Sequence, residues 1–124
     1  MRGRLISIAT VGTLLAVAAV APALAGSQRA KHYPTTITIH ADQPGGLLTG
    51  RVKSDKKPCF RNREVRIIIL GEDAGDDTTT SGGHYKFDFN GPIPPGTYDV
   101  RAPKLRVSKK VVCEPGVSKV VTLN

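Results

Sequence analysis

The side chains able to do chemistry in this chain are two cysteines, three histidines, one acidic run and a large set of cations. Catalysis would need a nucleophile, a base and a group that orients the base, all drawn together by the fold. His32, His40 and His84 sit in no such pattern. Nor does the sequence hold Gly-x-Ser-x-Gly, His-Glu-x-x-His or a phosphate-cradling glycine loop. No catalytic, cofactor-binding or metal-binding residue is therefore expected, and the protein is not read as an enzyme. The run Glu72-Asp73-Ala74-Gly75-Asp76-Asp77 reads as an acidic loop whose carboxylates could converge on calcium. It lacks the regular Asp spacing of a helix-loop-helix calcium site, so solvated carboxylates are the plainer reading.

The cations are more telling. Arg101, Lys104, Arg106, Lys109 and Lys110 follow the outward positions of one predicted strand and its extension. Arg51 and Lys53 do the same on another, and Arg61, Arg63 and Arg66 flank the most apolar segment. Adjacent in space, they would form a basic face suited to anionic cell-envelope or extracellular polymers. Nucleic acid is the less favoured partner, because no aromatic is interleaved to stack on bases. A sugar platform would need exposed aromatics; the chain has no Trp, and only Tyr33 and Phe60 are left outside the predicted core.

The elements that must position these groups have period two. Thr36-Ile37-Thr38-Ile39-His40 alternates, as does His84-Tyr85-Lys86-Phe87-Asp88-Phe89-Asn90, with Tyr85, Phe87 and Phe89 on one face. Val65 to Leu70 is apolar on both faces and predicts a central strand. Tyr98, Val100 and Ala102 point inward on a later strand; Pro103 interrupts it, and Leu105 and Val107 are expected to continue inward. No apolar pattern of helical period persists over three turns. About seven short strands separated by turn signals predict an all-β, antiparallel Greek-key β-sandwich, transthyretin-like or immunoglobulin-like.

The N-terminus reads differently. Arg2 and Arg4, an apolar run over residues 5–21 and the small-residue site Ala23-Leu24-Ala25 make up a secretory signal peptide, a signal helix over residues 1–25 with cleavage after Ala25. Residues 26–34 read as a flexible lead-in and residues 35–124 as the single domain. The formal charge of +8 falls once Arg2 and Arg4 are removed: 16 basic residues remain against 10 acidic, a net +6. After export, Cys59 and Cys113 are the only thiols, and an even count in a small secreted domain predicts a disulfide. No membrane span is expected after cleavage.

Ser81-Gly82-Gly83-His84-Tyr85-Lys86-Phe87 followed by Pro94-Pro95-Gly96-Thr97-Tyr98-Asp99-Val100 resembles the core of carboxypeptidase regulatory-like and collagen-adhesin B-type sandwich domains. Tyr33 to Ile39, Gly50 to Ser54 and Cys59 to Val65 also look like a group of small exported bacterial proteins of unknown function. The resemblance implies a transthyretin-like, seven-stranded topology. Such sandwiches serve as spacers, adhesin stalks, carbohydrate-binding modules and accessory domains, so fold alone leaves function open. The expectation is a secreted, noncatalytic binding or structural module whose face of Arg101, Lys104, Arg106, Lys109 and Lys110 meets anionic polymers. The alternatives are a carbohydrate-binding or adhesion-type accessory module and, less favoured, a small secreted enzyme.

Overall fold

The computed structural model describes residues 29–124, so the predicted signal peptide and the cleavage position after Ala25 lie outside the described residues. Residues 31–124 form one compact unit. It is all-β, apart from a single 3-10 turn at Lys57–Cys59. Twelve short strands are present among the described residues: β1 (Lys31–Tyr33), β2 (Thr36–Ile37), β3 (His40–Asp42), β4 (Leu47–Lys53), β5 (Glu64–Ile69), β6 (Glu72–Thr78), β7 (His84–Asp88), β8 (Gly96–Ala102), β9 (Leu105–Arg106), β10 (Val111–Cys113), β11 (Gly116–Val117) and β12 (Val121–Leu123).

Three sheets arise from them. In the first, β6 pairs β5, β5 pairs β8, and both β11 and β12 pair β8, all antiparallel. In the second, β2 and β3 pair one side of β4 and β7 pairs the other. The third is small: β9 pairs β10 antiparallel, and β10 pairs β1 in parallel. One apolar core joins the first two, with Val65, Ile67, Tyr98, Val100 and Ala102 from one and Ile37, Leu48, Val52 and Tyr85 from the other. This arrangement is consistent with a β-sandwich. Ile68, on the opposite face of β5, is buried as well, so the apolar run covers both faces as its sequence predicts.

Several expectations are corrected. The acidic segment is not a loop: Glu72–Thr78 is strand β6, and the turn lies just before it. Leu70 and Gly71 have φ of 53° and 82°. Positive φ at two successive residues is the signature of a two-residue hairpin turn, which returns the chain into pairing at once. A bulge opposite Ile67 and Ile68 then absorbs Ala74. The flexible lead-in ends earlier than residue 34, because Lys31–Tyr33 is held as β1 against β10. The run through Pro103 also differs, since Leu105 and Val107 are 38% and 41% exposed. Pro103 shifts the chain out of the first sheet, and β9 pairs with β10 instead.

Ile93 is a core residue that the Pro-rich connection concealed. It is buried, and the side-chain amide of Gln43 pairs with its backbone in both directions, Nε2 donating to its carbonyl at 3.0 Å and Oε1 accepting from its N–H at 3.0 Å. A connection thus plugs one end of the core with its polar groups satisfied.

Candidate functional site

The five cations of the predicted face divide into two sets. Lys104, Arg106, Lys109 and Lys110 lie on or beside the β9–β10 hairpin, and all are exposed. Arg101 belongs to β8, where its Nε donates to Asp99 Oδ2 at 2.8 Å and its register partner is Arg66 on β5. Arg66 is itself bonded to Glu64 at 3.0 Å and Asp73 at 3.3 Å. That part of the surface is locally compensated. None of the four hairpin cations takes part in an ion pair among the described residues.

The hairpin's own sequence makes its turn. Val107 N–H donates to Val111 carbonyl at 3.0 Å, and Lys110 N–H donates to Ser108 Oγ at 3.2 Å. A short hydroxyl side chain completing a turn in this way is a common use of Ser. Lys31 joins the cluster from β1, donating its N–H to the Lys110 carbonyl at 2.9 Å.

The base of the hairpin is held from inside. Arg63 is only 1% exposed and has no carboxylate partner among the described ion pairs. Its Nη2 donates to the carbonyls of Pro103 at 2.7 Å and Glu114 at 3.1 Å, the residues just before and just after the hairpin. Nη1 donates to Cys59 carbonyl at 2.8 Å and Thr35 Oγ1 at 3.2 Å. One planar fork therefore ties four segments, a geometry that a lysine ammonium cannot reproduce. Burial pulls the guanidinium below its usual pKa, since desolvation disfavours the charged form. Arginine starts so high that it stays charged at neutral pH, and the oriented carbonyl dipoles supply the compensation.

The disulfide acts on the same place. Cys59 and Cys113 are bonded and both are fully buried; the Cys59 carbonyl is itself an Arg63 contact, and Cys113 directly precedes another at Glu114. A third tie is the pair His32 Nδ1 and Glu114 Oε2, linking β1 to the hairpin's exit. The hydrogen bond from His32, helped by the nearby charge of Lys104, holds the Glu114 carboxyl below its ordinary pKa, although burial opposes the shift.

Arg63 is thus a correction to its expected place on a basic face. The alternation contained the signal: carried one residue back from β5, it puts position 63 on the same side as 65, 67 and 69, so the arginine is aimed inward. The histidines are separated, His40 and His84 lying exposed on β3 and β7. The acidic residues spread along β6, where Asp73 meets Arg66 and Asp77 Oδ2 accepts from Lys86 N–H at 3.0 Å. Among the described residues no group of three or more His, Cys, Asp or Glu is placed to hold a metal ion. Of the two free aromatics, Tyr33 has the ammonium groups of Lys31 and Lys56 over its ring at 5.5 and 5.7 Å, and Phe60 packs partly buried against the core. Among the described residues no helix is long and apolar enough to cross a membrane. Compared with known proteins, the chain matches no family model, no curated protein and no solved structure.

Proposed function

We propose that this is a secreted, noncatalytic binding module that holds anionic cell-envelope or extracellular polymers through the cations of the β9–β10 hairpin. The observation that carries the reading is the clamped hairpin itself: four cations on or beside it, none in an ion pair among the described residues, with both feet bonded to a buried guanidinium. Clustered, uncompensated charge raises the local potential, and a rigid presentation lowers the entropy lost on binding. Arg101, compensated by Asp99, contributes less. The exposed, separated histidines favour a noncatalytic role, and the lysines over Tyr33 disfavour an open sugar platform. The same reading takes the fold as a seven-stranded Greek-key sandwich of the carboxypeptidase regulatory-like or collagen-adhesin B type, with the shorter strands as breaks in longer ones. It takes the disulfide as formed on export after cleavage behind Ala25.

Inorganic polyphosphate and polyglutamate, with neutral dextran as control, test the polymer reading by titration at rising salt. Binding to both polyanions that weakens steadily with salt is expected. Neutralising Lys104, Arg106, Lys109 and Lys110 to Gln should weaken it about thirtyfold, as four surface contacts near 0.5 kcal/mol each would give. Affinity unchanged by salt or by the four substitutions would refute the reading.

A further inference from the structure

The first two sheets leave a groove between strands β6 and β7, of about 410 Å³, whose apolar lining includes Ile67, Ile69, Ala74, Phe87 and Phe89. β6 pairs only with β5 and so carries a free ladder edge beside the groove, whereas β7 pairs with β4 and on its other side gives its Lys86 N–H to Asp77 Oδ2. Glu72, Asp73, Asp76 and Asp77 lie on β6 and Asp88 on β7, with Lys86 the cation among the groove's lining residues. Free edges of this kind accept an added strand, and charge on them decides which strands are refused.

The opposite character is found on β9. It is also an edge, paired with β10 alone, and its segment reads Lys104-Leu105-Arg106-Val107. Val107 turns its N–H to Val111, so the antiparallel alternation turns the backbone of Arg106 away from β10 and toward the open side. Leu105 and Val107 are among the few exposed large apolar side chains of the described residues. Two β6 edges would repel each other, as would two β9 edges. The complementary pairing is one of each.

We propose that the basic edge β9 of one copy docks along the acidic edge β6 of a second copy, with Leu105 and Val107 covering the β6–β7 groove. The two surfaces differ, so the contact is heterologous and each copy keeps a free acceptor and a free donor edge. Such contacts grow head to tail into chains or rings. β9 is short and begins just after Pro103, so the area buried falls below the roughly 1,200 Å² of stable complexes and the association is weak.

The test is sedimentation equilibrium of the protein as recovered from its host, over roughly 10 µM to 1 mM, the range in which contacts this small are populated. The mean mass should rise with concentration past that of a dimer and fall back at high salt. Glu72→Lys with Asp76→Lys, or Lys104→Glu with Arg106→Glu, should each give a monomer, with far-UV circular dichroism confirming the fold. An equimolar mixture of the two variants should assemble again, because each then meets an edge of opposite charge. A wild-type mass that stays monomeric, a variant that assembles as the wild type does, or a mixture that stays monomeric would each overturn the proposal. The Glu72 and Asp76 variant keeps every hairpin cation, so its polyanion binding separates this proposal from the polymer reading.

Discussion

Replacing Arg63 by Met isolates what the buried fork does. Methionine approximates the length and packing of the arginine stem, but leaves four acceptors without their donor: the carbonyls of Cys59, Pro103 and Glu114, and the Thr35 hydroxyl oxygen. Hydrogen bonds from a charged donor contribute about 1.5–3 kcal/mol each. Four would sum to most of the ~5–15 kcal/mol that a domain of this size possesses, so the full sum cannot appear. Thr35 Oγ1 keeps its own bond to Glu114 carbonyl at 2.6 Å, and a water admitted at Pro103 could serve that carbonyl. The expected loss is therefore about 3–5 kcal/mol, as two or three buried acceptors left unpaired at about 1–3 kcal/mol each would give. Urea denaturation should show it as a midpoint lower by about 2–5 M, given a slope near 1–1.5 kcal/mol/M for a small domain. Arg63→Lys should recover less than half. The disulfide provides an internal check, since it closes 54 residues and contributes about 4 kcal/mol by the chain-entropy relation. Both ties hold the segment at 59 to the segment at 113 and 114, so their losses should not add; a double-mutant cycle with the bridge removed should give a coupling above about 0.5 kcal/mol. A loss below about 1 kcal/mol for Arg63→Met, with the bridge intact, would refute the idea that the guanidinium holds the hairpin base.

Three smaller perturbations test other parts of the fold. Because the folded Glu114 carboxyl titrates below its ordinary value near 4.5, its contribution to stability is present above that value and is lost as pH falls through the lowered one; His32→Gln should move the Glu114 carboxyl resonance titration upward and flatten stability in that acid window, and an unmoved titration would show that His32 is not the cause. Gly50→Ala should destabilise by more than about 2 kcal/mol in urea, since the new Cβ would lie 2.0 Å from Thr38 carbonyl and 2.4 Å from the Tyr85 hydroxyl, which itself donates to that carbonyl at 2.6 Å. Leu70→Asn should stabilise by about 0.5–1 kcal/mol, because Leu70 is 69% exposed at φ 53° and Asn tolerates the left-handed region better; a lower melting midpoint would mean that the leucine's contact with the Gly96 turn outweighs its strain.

The strand alternation made most of the core legible: Ile37, Val52, Tyr85, Tyr98 and Val100 are buried where period two puts them. The disulfide was legible too, from an even thiol count in a chain whose N-terminus reads as an export signal, and it joins Cys59 to Cys113. What the sequence concealed follows from composition overriding geometry. Four carboxylates in Glu72 to Asp77 look like solvent, yet a two-residue turn at Leu70 and Gly71 commits them to strand pairing, and polar side chains cost an exposed edge nothing. Leu105 and Val107 look like core by alternation, but alternation holds only within one ladder and Pro103 changes the ladder. Arg63 was misplaced for the opposite reason: its position was right for the interior, and its charge argued otherwise. A buried cation bonded only to neutral acceptors requires several converging carbonyls, and those come from residues 59, 103 and 114, which no local pattern brings together.

That convergence bears on the candidate site. Lys104, Arg106, Lys109 and Lys110, with Lys31 beside them, repel one another, and the repulsion favours a frayed hairpin with its charges spread apart. Three ties act against fraying at the same end of the molecule: the Arg63 fork on both feet, the Cys59–Cys113 bridge, and β1 laid parallel to β10 and pinned by His32 and Glu114. The small third sheet adds little core of its own beyond Val112 and Cys113, so burial of apolar surface gives no account of so much restraint. Restraint concentrated where charge is concentrated is what a fixed array of cations requires, and a surface that merely kept the protein in solution would not need it. The hairpin's fixed charge spacing is therefore the property on which both the polymer-binding proposal and the copy-to-copy contact depend, and Arg63, which touches neither partner in either scheme, is the residue whose loss should weaken them together.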